Sequence, residues 1–121
     1  MLIVDDNVSS AETLALLIGL SGHATHVAHS GFDALEAAEI HRPDVVLLDI
    51  GLPGIDGYEV ARRLRLTGAS RRALLVAVTG YGQDDDRRKS REAGFDYHLV
   101  KPLGFQHLEI LLHQTSKAVP I

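Results

Sequence analysis

The chain has 121 residues, a net charge of −4 and no cysteine. That length supports one hydrophobic core and not two, and the lack of cysteine excludes disulfide staples, thiolate metal sites and cysteine nucleophiles. The mildly acidic balance argues against nonspecific binding to nucleic acid or anionic membrane, and no apolar run reaches the roughly 20 residues of a membrane helix.

In chain order, short apolar runs alternate with stretches of helical period. Residues 1–4 are apolar and lead into Asp5-Asp6, without the pattern of a signal peptide. Residues 8–20 place Leu14, Leu17 and Ile18 on one helix face, and Gly22 closes that helix. A second strand is predicted over 24–28 and a second helix over 31–41, carrying Ala34, Leu35 and Ala38. After Pro43, Val45-Val46-Leu47-Leu48 suits a strand buried on both faces. Leu52-Pro53-Gly54 is a loop, and Asp56 is placed to cap a helix over 57–66. Residues 73–78 form the fourth apolar strand, 83–93 a very polar helix ended by Gly94, and 97–100 a short fifth strand. A last helix over 105–116 carries Leu108, Leu111 and Leu112, and 117–121 is a linker stub.

Strand and helix therefore alternate five times, the pattern of an α/β domain with a parallel sheet, helices on both faces and right-handed crossovers. The domain spans 1–116, and the composition predicts a soluble, cytoplasmic unit. Only four residues precede Asp5, short for a central strand, which suggests an excised domain or a trimmed start.

Asp5 and Asp6 follow the first strand, Asp49 ends the third, Thr79 follows the fourth and Lys101 the fifth. In an open parallel sheet the carboxyl ends of the strands share one edge, where such folds bind ligands. Three carboxylates gathered there repel one another unless a cation sits among them. Hard oxygen donors suit Mg²⁺, which keeps several waters and completes its shell with phosphate oxygens. A carboxylate can also act as nucleophile in phosphoryl transfer. Lys101 offers a point charge to the same group and the Thr79 hydroxyl a hydrogen bond.

The set Val4-Asp5-Asp6-Asn7, residues 48–57 (Leu48-Asp49-Ile50-Gly51-Leu52-Pro53-Gly54-Ile55-Asp56-Gly57), Val78-Thr79-Gly80 and Val100-Lys101-Pro102 resembles the response-regulator receiver family of two-component signalling. Each motif alone is weak; the ordered set of four, over essentially the whole chain, is specific. The resemblance implies a flavodoxin-like, doubly wound (βα)5 fold with strand order 2-1-3-4-5. It implies that Asp49 takes a phosphoryl group from phosphohistidine on a histidine kinase or histidine phosphotransfer protein. It further implies that Asp5, Asp6, Asp49 and the Gly51 carbonyl hold Mg²⁺, with Mn²⁺ a possible substitute, and that Thr79 and Lys101 contact the phosphoryl oxygens. Thr79 then moves toward the new charge and an aromatic on the fifth strand follows it inward. His98 stands at that position here, where tyrosine or phenylalanine is commoner. The resemblance also implies that the face formed by the fourth helix, the fifth strand and the last helix is where an effector or a second receiver docks. The run from Gly94 to Pro102 looks most like receivers attached to hybrid sensor histidine kinases. The Lys101-Pro102 bond is expected to be cis, and Tyr81 to slow loss of the phosphoryl group.

Other readings fit less well. An aspartate-nucleophile phosphatase needs an acid two residues after its nucleophile, where this chain has Gly51. A flavin phosphate would be repelled by the acidic rim and finds no phosphate loop after the first strand. The main alternative is a degenerate receiver, a binding module that works without phosphorylation, although every expected phosphorylation residue is present. On these grounds the domain is a phosphoacceptor and not an enzyme in its own right. His23, His26 and His29 read as surface histidines. Asp84-Asp85-Asp86 followed by Arg87-Arg88-Lys89 reads as acids and bases matched to a helix dipole.

Overall fold

The computed structural model describes residues 1–68, 70–80 and 84–100, with the side chains of 84–87 left aside. The strands are β1 (Leu2–Val4), β2 (His26–Ala28), β3 (Val45–Asp49), β4 (Leu74–Thr79) and β5 (Tyr97–Val100). The helices are α1 (Val8–Leu20), α2 (Gly31–His41), α3 (Gly57–Leu66) and α4 (Asp84–Ala93). The expected last helix, Lys101, the Lys101-Pro102 bond and Tyr81 lie outside the described residues.

All strand pairings are parallel and the order is β2-β1-β3-β4-β5. The order is the one the resemblance implies, and the apolar strands β1, β3 and β4 fill its buried centre. β4 is buried at every residue after Leu74, and β1 throughout. Alternate strand residues feed two cores. Leu2, Val4, Val46, Leu48, Leu75 and Ala77 pack with α2, α3 and the Ala93-Phe95 segment. Ile3, Leu47, Val76 and Val78 pack with Ala11 and Ile18 of α1. Each such aliphatic side chain removed from water contributes about 1.5–3 kcal/mol.

Local signals set the helix starts. Asn7, Ser30 and Asp56 each cap a helix by accepting an N–H three residues on, from Ser10, Asp33 and Glu59, at 3.0, 3.1 and 3.0 Å. Such caps are worth about 1 kcal/mol each. The predicted boundaries shift by a residue or two. β2 begins at His26, not at 24, because its partner β1 offers only three residues to pair with. β4 runs one residue further, to Thr79, because Thr79 pairs with Val100. α1 ends at Leu20 with Ser21 as its cap, and Gly22 follows at φ +90°.

Where β4 and β5 begin, one side chain ties four segments together. Arg65 Nε donates to Gly94 O at 2.9 Å, and Nη1 donates to Arg71 O and Ala73 O at 3.0 and 2.7 Å. Its Nη2 donates to Asp96 Oδ2 at 2.7 Å, and the same oxygen accepts the Leu75 amide at 2.9 Å. Gly94 is required twice over: its φ is +105°, and a Cβ there would lie 2.8 Å from Arg65 Cγ.

Candidate functional site

The carboxyl edge of the sheet gathers the acids that the sequence scatters. Asp5 follows β1 and Asp49 is the last residue of β3; since Val4 pairs with Leu48, the two aspartates reach the edge side by side. One ligand oxygen from each of Asp5, Asp6 and Asp49 lies within 4.8 Å of the others. Asp5 and Asp49 are only 5 % and 8 % exposed, so most of this charge is held away from water, whereas Asp6 faces solvent.

Both buried carboxylates are fixed in the same way. Asp5 Oδ1 accepts the Asn7 amide at 2.9 Å, and Asp49 Oδ1 accepts the Gly51 amide at 2.9 Å. Each is a side-chain turn closed two residues downstream. Asn7 thus serves twice, since its own side chain caps α1. The Asp5 main chain is held as well: its amide donates to Ala28 O at 3.1 Å, and its carbonyl lies 3.0 Å from His29 Nδ1. A carbonyl only accepts, so Nδ1 carries the proton in this contact. His29 is therefore half-buried support for the acid cluster, a correction to its reading as a surface residue. The only sequence signal for it was its position, immediately past the strand that pairs with β1.

Gly57 sets the approach of α3. A Cβ at this position would lie 2.6 Å from Ile50 Cα and 2.8 Å from Asp49 O. The glycine lets the helix start press directly on the backbone of Asp49, with the Gly57 amide donating to Ile50 O at 3.0 Å. Thr79 ends β4 at 7 % exposure, one residue beyond the β4 partner of Asp49, Val78. His98 pairs with Ala77 in the β4–β5 ladder, and its Nδ1 lies 3.3 Å from Ser90 Oγ of α4. The structure thus brings Asp5, Asp6, Asp49 and Gly51 together and puts Thr79 on the adjacent strand end; Lys101 falls outside the described residues.

Of the other histidines, His26 stacks on His41 with ring centroids 3.5 Å apart and does not join His23 or His29 in a metal cluster. Among the described residues, the acid trio is the one group of three or more such side chains placed to share an ion. No helix among them is long and apolar enough to cross a membrane.

The comparisons agree with this geometry. The family model for the response regulator receiver domain matches residues 1–113. The polar-differentiation response regulator DivK of Brucella anthropi is 34 % identical over 103 residues, covering 85 % of this chain and 84 % of DivK. Response regulator MprA of Mycobacterium ulcerans is 35 % identical over 108 residues, 89 % of this chain but only 46 % of MprA, so this chain spans less than half of that relative. Among solved structures, the receiver domain of sensor histidine kinase PA1611 from Pseudomonas aeruginosa superposes with a TM-score of 0.85 at 29 % identity, covering 93 % of each chain; that structure holds a magnesium ion in its active-site cleft. With its sheet order, its acid-lined edge and these matches, the chain belongs to the response regulator receiver domain family.

Proposed function

We propose that this receiver domain accepts a phosphoryl group on Asp49 from a phosphohistidine of a histidine kinase or histidine phosphotransfer protein. The observation that carries the reading is the convergence of Asp5, Asp6 and Asp49 oxygens within 4.8 Å at the carboxyl edge of the sheet. A carboxylate oxygen of Asp49 attacks phosphorus, and the P–N bond to the donor imidazole breaks with its electron pair going to nitrogen. The products are an acyl phosphate and a histidine made neutral by a proton already on its other ring nitrogen or taken from water.

The donor set fits a hard divalent cation: three carboxylates, two of them buried, on rigid strand ends. Asp5, Asp6 and Asp49, with the Gly51 carbonyl, would hold Mg²⁺ or Mn²⁺, as the magnesium in the PA1611 receiver supports. Its chemistry there would be charge neutralisation and alignment of the phosphoryl oxygens. Asn7 and His29 keep Asp5 in place while the group arrives. The Thr79 hydroxyl donates to a phosphoryl oxygen and Lys101 supplies a positive charge. The modified aspartate carries about −1.5 to −2 charges, and Thr79 and His98 pass that change to β5 and α4, whose surface meets an effector or another receiver. The domain promotes its own phosphorylation and its slow hydrolysis, and its output lies in binding and not in turnover of a substrate. A parent hybrid kinase is compatible with this reading.

Intact mass after incubation with acetyl phosphate and Mg²⁺ tests it. One phosphoryl group is expected on the wild-type chain, none on Asp49→Ala, and none after chelation of the metal. A wild-type chain that gains no mass and binds no Mg²⁺ would establish the phosphorylation-independent binding module instead.

A further inference from the structure

At the opposite edge of the sheet, a polar cavity of about 290 Å³ lies between the segments that lead into β3 and β4. Its lining includes three arginines, Arg42, Arg71 and Arg72, against one acid, Asp44. All three arginines are exposed, and among the described residues none of their guanidinium groups is in an ion pair. This is a concentration of positive charge in a chain whose net charge is −4. Strand β3 separates Asp44 from Asp49, about 16 Å at the usual rise per residue, so the cavity is distinct from the acid cluster.

Matching to helix dipoles does not account for the three. Arg42 does follow the last turn of α2, where a cation is favourable, but Arg71 and Arg72 sit in the loop ahead of β4. Arg42 also occupies a left-handed conformation, φ 47° and ψ 59°, at the α2 cap. Glycine or asparagine takes that position at lower strain, and strain retained beside a cavity points to use of the side chain. Guanidinium groups present planar forks that match phosphate oxygens in pairs. The volume sits at the lower end of small-molecule cavities, which suits a compact anion with more than one phosphate.

We propose that this cavity binds a small free polyphosphate, a diphosphate group alone or as the tail of a nucleotide, through Arg42, Arg71 and Arg72. The site is independent of phosphorylation at Asp49. Calorimetric titration of the full chain with pyrophosphate in metal-free buffer tests it. Saturable one-to-one binding, stronger than that of inorganic phosphate, is expected to weaken at least tenfold in Arg71→Ala/Arg72→Ala and to persist in Asp49→Ala. Arg42→Gly is expected to raise Tm, by relieving the backbone, while lowering affinity at least threefold, a combination that impaired folding would not produce. ATP binding as tightly as pyrophosphate would identify the nucleotide tail as the source, and pyrophosphate binding alone the free diphosphate. Absence of saturable binding, or equal affinity in the wild type and Arg71→Ala/Arg72→Ala, would overturn the proposal.

Discussion

The Arg65 cluster at the amino edge and the acid cluster at the carboxyl edge handle charge in opposite ways. At the amino edge, Arg65 meets three carbonyls and the Asp96 carboxylate, so one cation is matched by acceptors already in place. At the carboxyl edge, three carboxylates place ligand oxygens within 4.8 Å of one another, an arrangement suited to sharing a cation. The matched Arg65 cluster ties α3, the loop before β4, and the starts of β4 and β5 into one unit. The like-charged edge draws its stability from elsewhere, from capped helices and from the buried aliphatics of β1, β3 and β4. Stability and chemistry are thus set at opposite ends of the same strands.

Breaking the amino edge gives the largest expected effect. Arg65→Ala removes four hydrogen bonds and leaves carbonyls at strand starts short of donors. The Arg65 and Asp96 side chains remain 23 % and 42 % exposed, so screening limits the ion-pair share. The cost is expected to be about 3 kcal/mol by urea unfolding. Acetyl phosphate should still modify Asp49 in the folded fraction, and a failure to do so would show that the two edges are not separable.

Gly57→Ala addresses the other edge. The new methyl would overlap Ile50 Cα and Asp49 O, and the strain is expected to cost about 2 kcal/mol. Because the overlap falls on the Asp49 backbone, Mg²⁺ affinity should fall too, read as a loss of metal-induced thermal stabilisation. Unchanged metal stabilisation would mean that the acid cluster does not depend on how α3 is seated.

The smallest effect is a pH dependence at the amino edge. The pKa of His26 is lowered from its ordinary 6.5 by desolvation and then by the charges of His41 and the Met1 amine. Below pH 6.5 the unfolded chain takes up this proton before the folded one does, so stability falls as the solution is acidified through that range. It levels off once the folded state is protonated as well. His26→Gln should flatten this part of the stability profile below pH 6.5, and an unaltered slope would place the titration elsewhere.

How much could be read from the residues follows the range of the forces involved. Hydrophobic alternation and capping act within a few residues, and Asp56 and the apolar runs mark nearly every element the structure describes, whereas the caps Asn7 and Ser30 emerge only in the structure. The positions of Asp5, Asp6, Asp49 and Thr79 at strand ends were legible for the same reason. The strand order was legible only through the family resemblance, because periodicity says nothing about which strand lies beside which.

What only the tertiary structure decided is every contact between segments distant in sequence. The proton of His29 on the Asp5 carbonyl depends on β2 lying beside β1. Arg65 reads as an ordinary polar helix residue until β5 delivers Asp96 next to β4. Arg42 and the Arg71-Arg72 pair become one cavity only because β3 and β4 are neighbours. The sequence by itself determined the elements and the residues at their ends, since local backbone and side-chain preferences are written residue by residue. The fold decided their company, because register and packing arise from the whole chain at once.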